Sequence, residues 1–213
     1  MNVLSKRLSD KYDVILASSS PRRYEIMTEQ MGFVDIRVMK PSFEEDLDKS
    51  LYEGNPVQYV QDTCKEKAKS ILTELTEGAK PKLIICADTI VVDHTEQIYE
   101  KPIEREVQLR NLIKFTQSGK PMRVVTAVTI IVYKTSNDYC FDSFNEQTEV
   151  FFDSNIPRSL IEMYVESGDG LQVAGGFKVQ GFSGCLIRGI NGDYYNVVGL
   201  PLNATWKRIC TLV

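Results

Sequence analysis

The run Ser18-Ser19-Ser20-Pro21-Arg22-Arg23 places two guanidinium groups in the first turn of an expected helix. Serine followed by proline is a helix-start signal, because serine suits the cap and proline the first helical position. Cations in that turn oppose the positive end of the helix dipole, where a glutamate would be favoured. An anionic ligand held by backbone N–H groups and both arginines removes the conflict. The bland alternative pairs the arginines with surface acids. On the first reading Ser18, Ser20, Arg22 and Arg23 contact a phosphate-bearing ligand.

Asp88 interrupts the otherwise apolar run Ile84-Ile85-Cys86-Ala87-Asp88-Thr89-Ile90-Val91-Val92. A carboxylate in an apolar strand is costly to desolvate unless something meets it. The partner is a cation, a metal or a water to be activated; backbone groups at a bulge are the structural alternative. Val57, Val60, Cys64, Ala68, Ile71 and Leu75 form an apolar stripe at helical spacing. At about 100° per residue, Lys67 falls on the edge of that stripe and Lys69 points away. From there Lys67 either reaches along a wall into a cleft or extends to solvent. Lys101 precedes Pro102, which stiffens its backbone. Glu44, Glu45, Asp46 and Asp48 form an acidic run, read as a solvated loop or as the source of a metal carboxylate. It lacks the glycine and terminal glutamate of a calcium loop. The single histidine, His94, sits in a polar stretch and reads as a solvent-facing turn residue, so any general base is a carboxylate. No G-x-x-x-x-G-K-[ST] or G-x-G-x-x-G occurs, which argues against a P-loop or Rossmann nucleotide site.

These side chains need elements to hold them. Residues 14–17 read as a strand leading into a helix of about residues 21–31 that stops at Gly32. A strand at about 34–39 and a loop at 43–48 follow. Asn55-Pro56 opens the helix that carries Lys67. Residues 83–92, the most apolar run, read as a central strand buried on both faces. A short strand at Ile98-Tyr99, a helix at about 103–115, strands at about 122–133 and 144–152, and a helix at 155–166 come next. Nine of the thirteen glycines fall between Gly168 and Gly199. Short strands are expected there at 177–180, 185–190 and 194–198, with Asn191-Gly192 as a hairpin turn. From Pro201 onward the chain reads as a helix with Trp206 inward. Interleaved strands and helices give one α/β domain over residues 1–213, with a mixed twisted sheet, flanking helices and a polar tail to about residue 12.

A chain of 213 residues that is 43% hydrophobic and 25% charged excludes disorder and matches roughly one domain. A net charge of -4 argues against a nucleic-acid partner. The cysteine count is odd, no C-x-x-C occurs, and Cys64, Cys86 and Cys185 lie in apolar segments. The cysteines therefore read as reduced, core-filling residues of a cytoplasmic protein. The N-terminus shows no apolar signal segment, and no run is long enough to span a membrane.

Five motifs occur in order: Leu16-Ala17-Ser18-x-Ser20-Pro21-Arg22-Arg23, Ala87-Asp88-Thr89-Ile90-Val91, Lys101-Pro102, Ala174-Gly175-Gly176-Phe177-x-x-Gln180-Gly181, and Gly192-Asp193-Tyr194-x-Asn196-Val197-Val198-Gly199-Leu200-Pro201-Leu202. Together, over about residues 15–209, they resemble the Maf family of nucleoside triphosphate pyrophosphatases. The resemblance implies a two-lobed, Maf/ITPase-like α/β fold around a central cleft, a homodimer, and a divalent Mg²⁺ or Mn²⁺. It implies cleavage between the α and β phosphorus to give monophosphate and pyrophosphate, with Asp88 as proton acceptor. Arg22, Thr89 and Gln180 fall on specificity positions, and threonine and glutamine there match the branch acting on dTTP and UTP rather than on 7-methyl-GTP. Glu45 joins Asp88 as a metal ligand, and Lys67 and Lys101 join Arg22 in neutralising the triphosphate. Val173 and Ser167-Gly168-Asp169-Gly170 depart from the family's usual lysine and S-G-E-P, which bears on substrate preference more than on the reaction. Two other readings are a pyrophosphatase for deaminated purines such as ITP and a non-enzymatic nucleotide-sensing regulator of cell division.

Overall fold

The computed structural model describes residues 2–44 and 46–213, so Glu45 lies outside the described residues. The chain runs α1 (Val3–Lys11), β1 (Asp13–Ala17), α2 (Pro21–Glu25), a π-helical turn (Ile26–Gln30), β2 (Arg37–Val38) and a 3-10 turn (Lys49–Tyr52). Then come α3 (Pro56–Glu74), β3 (Lys82–Val92), β4 (Ile98–Tyr99), α4 (Arg105–Gln117), β5 (Met122–Thr135), β6 (Asp138–Phe152) and α5 (Arg158–Glu166). Two short 3-10 turns lead to β7 (Ile187–Asn191), α6 (Tyr194–Val198) and α7 (Leu202–Leu212).

Among the described residues the strands form one sheet in the order β2-β1-β3-β5-β6-β7, with β4 on the far part of β3. β1 is parallel to β2 and β3, whereas β5, β6 and β7 continue antiparallel. The sheet is therefore mixed, as expected. Side chains alternate faces along a strand, and β3 distributes them between two layers. Leu83, Ile85 and Ala87 pack with Leu8, Met27 and Ile209, under α1, the π turn and α7. Ile84, Cys86, Ile90 and Val92 pack with Tyr59, Val60, Cys64, Ala68 and Ile71 of α3. A third cluster, built on Val91, Leu112, Phe115, Val124, Val150 and Tyr164, lies under α4 and α5 and forms the second lobe. The change of partner between Ala87 and Val91 is where the lobes part, and Asp88 and Thr89 occupy it.

The sequence reading departs from the structure in several places. The expected polar tail is helix α1, closed by a capping box in which Ser5 N–H donates to Asn2 Oδ1 (2.8 Å) and Asn2 N–H to Ser5 Oγ (3.2 Å). The expected strand at 34–39 shrinks to two paired residues. Residues 194–198 are helical rather than extended, and no hairpin follows Asn191. Asp193 Oδ1 caps α6 by accepting from Tyr195 N–H (2.8 Å), and buried Asn196 donates to Val124 O and Thr148 Oγ1 (3.0 Å each). That tertiary bonding overrides the strand preference of Tyr-Tyr-Asn-Val-Val. Residues 177–180 form no strand, because Phe177 turns inward against Phe152, with ring centroids 5.1 Å apart. Cys185 is exposed, whereas Cys64 and Cys86 are buried, and the five cysteines are free thiols. Trp206 does turn inward and stacks on Phe33 at 5.5 Å.

Candidate active site

Strand parity sends Asp88 to the same face as Cys86, toward α3, and α3 answers with Lys67. Lys67 Nζ donates to Asp88 Oδ1 at 2.6 Å, with side-chain exposures of 8% and 13%. The lysine on the stripe's edge therefore reaches inward along the wall. Cys64 and Cys86 set the spacing behind the pair: each thiol donates to the other's carbonyl oxygen, at 3.6 and 3.7 Å. Asp88 Oδ2 accepts no hydrogen bond from a described residue.

Thr89 points to the opposite face and meets α2. Arg23 uses all three of its nitrogens there, donating through Nε to Gly199 O (2.8 Å), Nη1 to Ser18 Oγ (3.0 Å) and Nη2 to Thr89 Oγ1 (2.9 Å). Thr89 Oγ1 also bonds Thr126 Oγ1 (3.0 Å), which donates to Asn196 O (3.2 Å). Arg23 is thus a brace between β1, β3 and the C-terminal segment. Arg22 uses only Nε, on Val198 O (3.3 Å), and its two terminal nitrogens donate to no described residue. Burial, and then the neighbouring Arg23, lower its pKa, against the pull of Asp169 and Tyr164. Neither arginine pairs with a surface acid among the described residues. Ser20 occupies the N-cap but makes no side-chain cap bond; its N–H donates to Ser18 Oγ (3.2 Å). α2 continues without a break into the π turn, so the two arginines sit at the start of a helical segment spanning residues 21–30. The guanidinium groups add their charge to that end.

These residues line one cleft of about 750 Å³. Among the described residues its walls carry six cationic side chains, Arg22, Arg23, Lys40, Lys67, Lys101 and Lys178, against two carboxylates, Asp88 and Glu100. A strongly positive cleft in a chain of net charge -4 is a local design and not a reflection of overall charge. Lys101 and Lys40 bond no described residue. Glu100 accepts from Tyr59 Oη (2.9 Å) and from Lys49 Nζ (2.5 Å). Burial, and then that carboxylate, push the Tyr59 phenol well above its usual range.

The structure brings together Ser18, Ser20, Arg22, Arg23, Lys67, Asp88, Thr89 and Lys101 on the cleft wall. Gln180 is exposed and does not line the cleft; Gln172 does. His94 is exposed, as expected. Sequence reasoning missed Lys40, Tyr59, Glu100 and Lys178. Glu100 adjoins Lys101-Pro102 and could have been found beside it, but isolated lysines and tyrosines carry no spacing signal.

The chain belongs to the Maf-like protein family, whose model matches residues 13–212. It is 51% identical over 209 residues to a dTTP/UTP pyrophosphatase of Saccharomyces cerevisiae, covering 94% of this chain and 90% of that protein. It is 40% identical over 208 residues to a dTTP/UTP pyrophosphatase of Schizosaccharomyces pombe, covering 96% and 85%. A dTTP/UTP pyrophosphatase of Clostridium perfringens is 34% identical over 197 residues, covering 92% and 95%. Among solved structures, a HAM1 protein from Coxiella burnetii aligns over 95% of this chain and 100% of its own, with a TM-score of 0.43 and 12% identity.

Proposed function

We propose that this protein hydrolyses dTTP and UTP to the nucleoside monophosphate and pyrophosphate. The names of the relatives support this, and the observation that carries it is the cleft: among the described residues, six cations around a buried, lysine-held carboxylate, with no histidine. That inventory suits a highly charged phosphate chain and a carboxylate base. In the proposed reaction a water oxygen attacks the α-phosphorus, the bond to the bridging oxygen breaks, and pyrophosphate departs. Asp88 accepts the water's proton while Lys67 fixes the carboxylate through its other oxygen. Arg22, Lys101 and Lys40 neutralise the phosphates and the leaving group, which is most of what phosphoryl transfer requires of a protein. Arg23, Ser18 and Thr89 position that wall rather than contact the reacting atoms; Ser20 lines it, and Gln180 stands outside it.

A divalent cation, Mg²⁺ or Mn²⁺, belongs to the proposal. Mg²⁺ is commonly held by one or two carboxylates plus substrate phosphates, and Asp88 Oδ2 accepts no hydrogen bond from a described residue. No group of three or more acid, cysteine or histidine ligands occurs among the described residues, so the nucleotide would supply the remaining oxygens. Asp88, with Glu45, would hold the ion, which supplies charge neutralisation on the phosphates. The proposal also includes a homodimer and a cytoplasmic setting. No helix among the described residues is long and apolar enough to cross a membrane.

The test is product identity. Purified protein incubated with dTTP, UTP, ITP and 7-methyl-GTP plus Mg²⁺ or Mn²⁺ is expected to release pyrophosphate from the first two. Asp88→Asn is expected to lower kcat at least about a hundredfold. Orthophosphate as the product, or near-normal turnover by Asp88→Asn, refutes the assignment.

A further inference from the structure

The backbone at Ile103, in the cleft wall, adopts a conformation its side chain disfavours. Three non-glycine residues among those described have positive φ, and Ile103, at +64°, is the β-branched one. Branched side chains avoid that region, so the backbone there is strained. The strain has a local form: Glu104 N–H donates to Pro102 O at 2.7 Å and closes a three-residue turn around Ile103. Such a turn with positive φ at its centre is the rare, strained kind. It persists because its flanks are fixed. Pro102 is buried, and a Cβ on Gly176 would come within 3.2 Å of its Cγ. Ile103 N–H donates to Leu171 O (3.1 Å), Gly175 N–H donates to Glu100 O (3.1 Å), and Glu104 occupies the N-cap of α4.

What the turn achieves is exposure of an apolar group. Ile103 is 57% exposed, and of the exposed large apolar side chains among the described residues it alone lines the cleft. Backbone strain of this sort is kept where a site uses it. The cations of the cleft answer the phosphates of a nucleotide. Its other large surface is the flat face of the base, which packs on apolar groups. Ile103 lies two residues from Lys101, a span of about 7 Å at most, and a nucleotide likewise sets its base one sugar away from its phosphate. We propose that Ile103 is a base-binding residue, the apolar surface on which the nucleobase packs while Lys101 meets the phosphates. This rests on the nucleotide reading of the cleft given above and goes beyond it by naming a contact to the base.

The test is calorimetry in the presence of Mg²⁺ with three probes: the non-hydrolysable α,β-methylene analogue of UTP, ribose 5-triphosphate, which has the sugar and no base, and inorganic tripolyphosphate, which has neither. Ile103→Gly and Ile103→Asn both accept positive φ, so each relieves the turn while removing the apolar side chain. Both variants are expected to melt no lower than the unsubstituted protein, which separates lost binding from lost folding. Both are expected to raise Kd for the UTP analogue about five- to tenfold and to leave the other two probes unchanged. Ile103→Leu keeps an apolar surface and is expected to hold all three within about twofold. Equal weakening on tripolyphosphate or on ribose 5-triphosphate overturns the proposal, as does an unchanged Kd for the analogue. If the analogue alone weakens but no pyrophosphate is released from UTP, the hydrolytic reading fails and the base contact stands. If pyrophosphate is released and the analogue's Kd does not move, the reverse holds. An analogue that does not bind the unsubstituted protein overturns both.

Discussion

Lys67→Met removes the ammonium that meets Asp88 and leaves the carboxylate in a largely desolvated wall. At 2.6 Å the pair's attraction is roughly 6 kcal/mol for an effective dielectric of about 20, before desolvation is counted. Breaking a buried pair by deleting one partner costs about 3–5 kcal/mol. Asp88 keeps 13% side-chain exposure on a water-accessible cleft, so we expect the lower part of that range, about 3–4 kcal/mol at pH 7. The double variant carries the sharper test. Urea denaturation at pH 7, compared at constant m, reads it directly. Lys67→Met/Asp88→Asn is expected to recover most of the lost stability at pH 7 and to stay inactive. A double variant no more stable than Lys67→Met refutes the claim that an uncompensated charge is the cause.

The two arginines should separate cleanly. Arg22→Ala raises KM for nucleotide about tenfold and leaves Tm nearly unchanged, whereas Arg23→Ala, which loses three bonds, lowers Tm by roughly 5 °C; identical kinetic and thermal effects would contradict the division between ligand contact and brace. Gly170→Ala is expected to cost about 2–4 kcal/mol in denaturation, from positive φ and collision with Tyr164 and Gly176 together, and a neutral result would show that the loop relaxes freely. Asp93 is buried, which alone would raise its pKa, but the Thr95 hydroxyl, Lys114 and Tyr99 hold it well below the usual carboxylate range. Its contribution is therefore complete above about pH 4 and lost as pH falls toward its folded value. Asp93→Asn is expected to lower stability at pH 7 by about 2–3 kcal/mol and to flatten the acid limb between roughly pH 4 and 2, followed by denaturation across that range.

Local rules identified most elements and the key acid. Residues 83–92 form a strand because a β-branched and aliphatic run interrupted only at Asp88 is satisfied by burial on both faces, and α3 follows from Asn55-Pro56 and a stripe that repeats every third or fourth residue. The failures lie where a short segment had two local solutions. Asn2-x-x-Ser5 is a capping box hidden in a polar stretch. Tyr194 to Val198 has strand composition, but Asp193 and the buried contacts of Asn196 make it a helix.

By itself, the sequence determined that an acid stood in an apolar strand, that no histidine could serve as its base, and that two arginines followed a serine-proline turn. Those are statements about types and neighbours, which periodicity and desolvation cost reveal. Only the tertiary structure decided that Lys67 meets Asp88 Oδ1, that Arg23 is a brace while the terminal nitrogens of Arg22 donate to no described residue, and that Lys40 and Lys178 face the same space. Such divisions depend on distances between groups tens of residues apart. They are set by how the two faces of β3 meet their separate cores, and no local pattern encodes that.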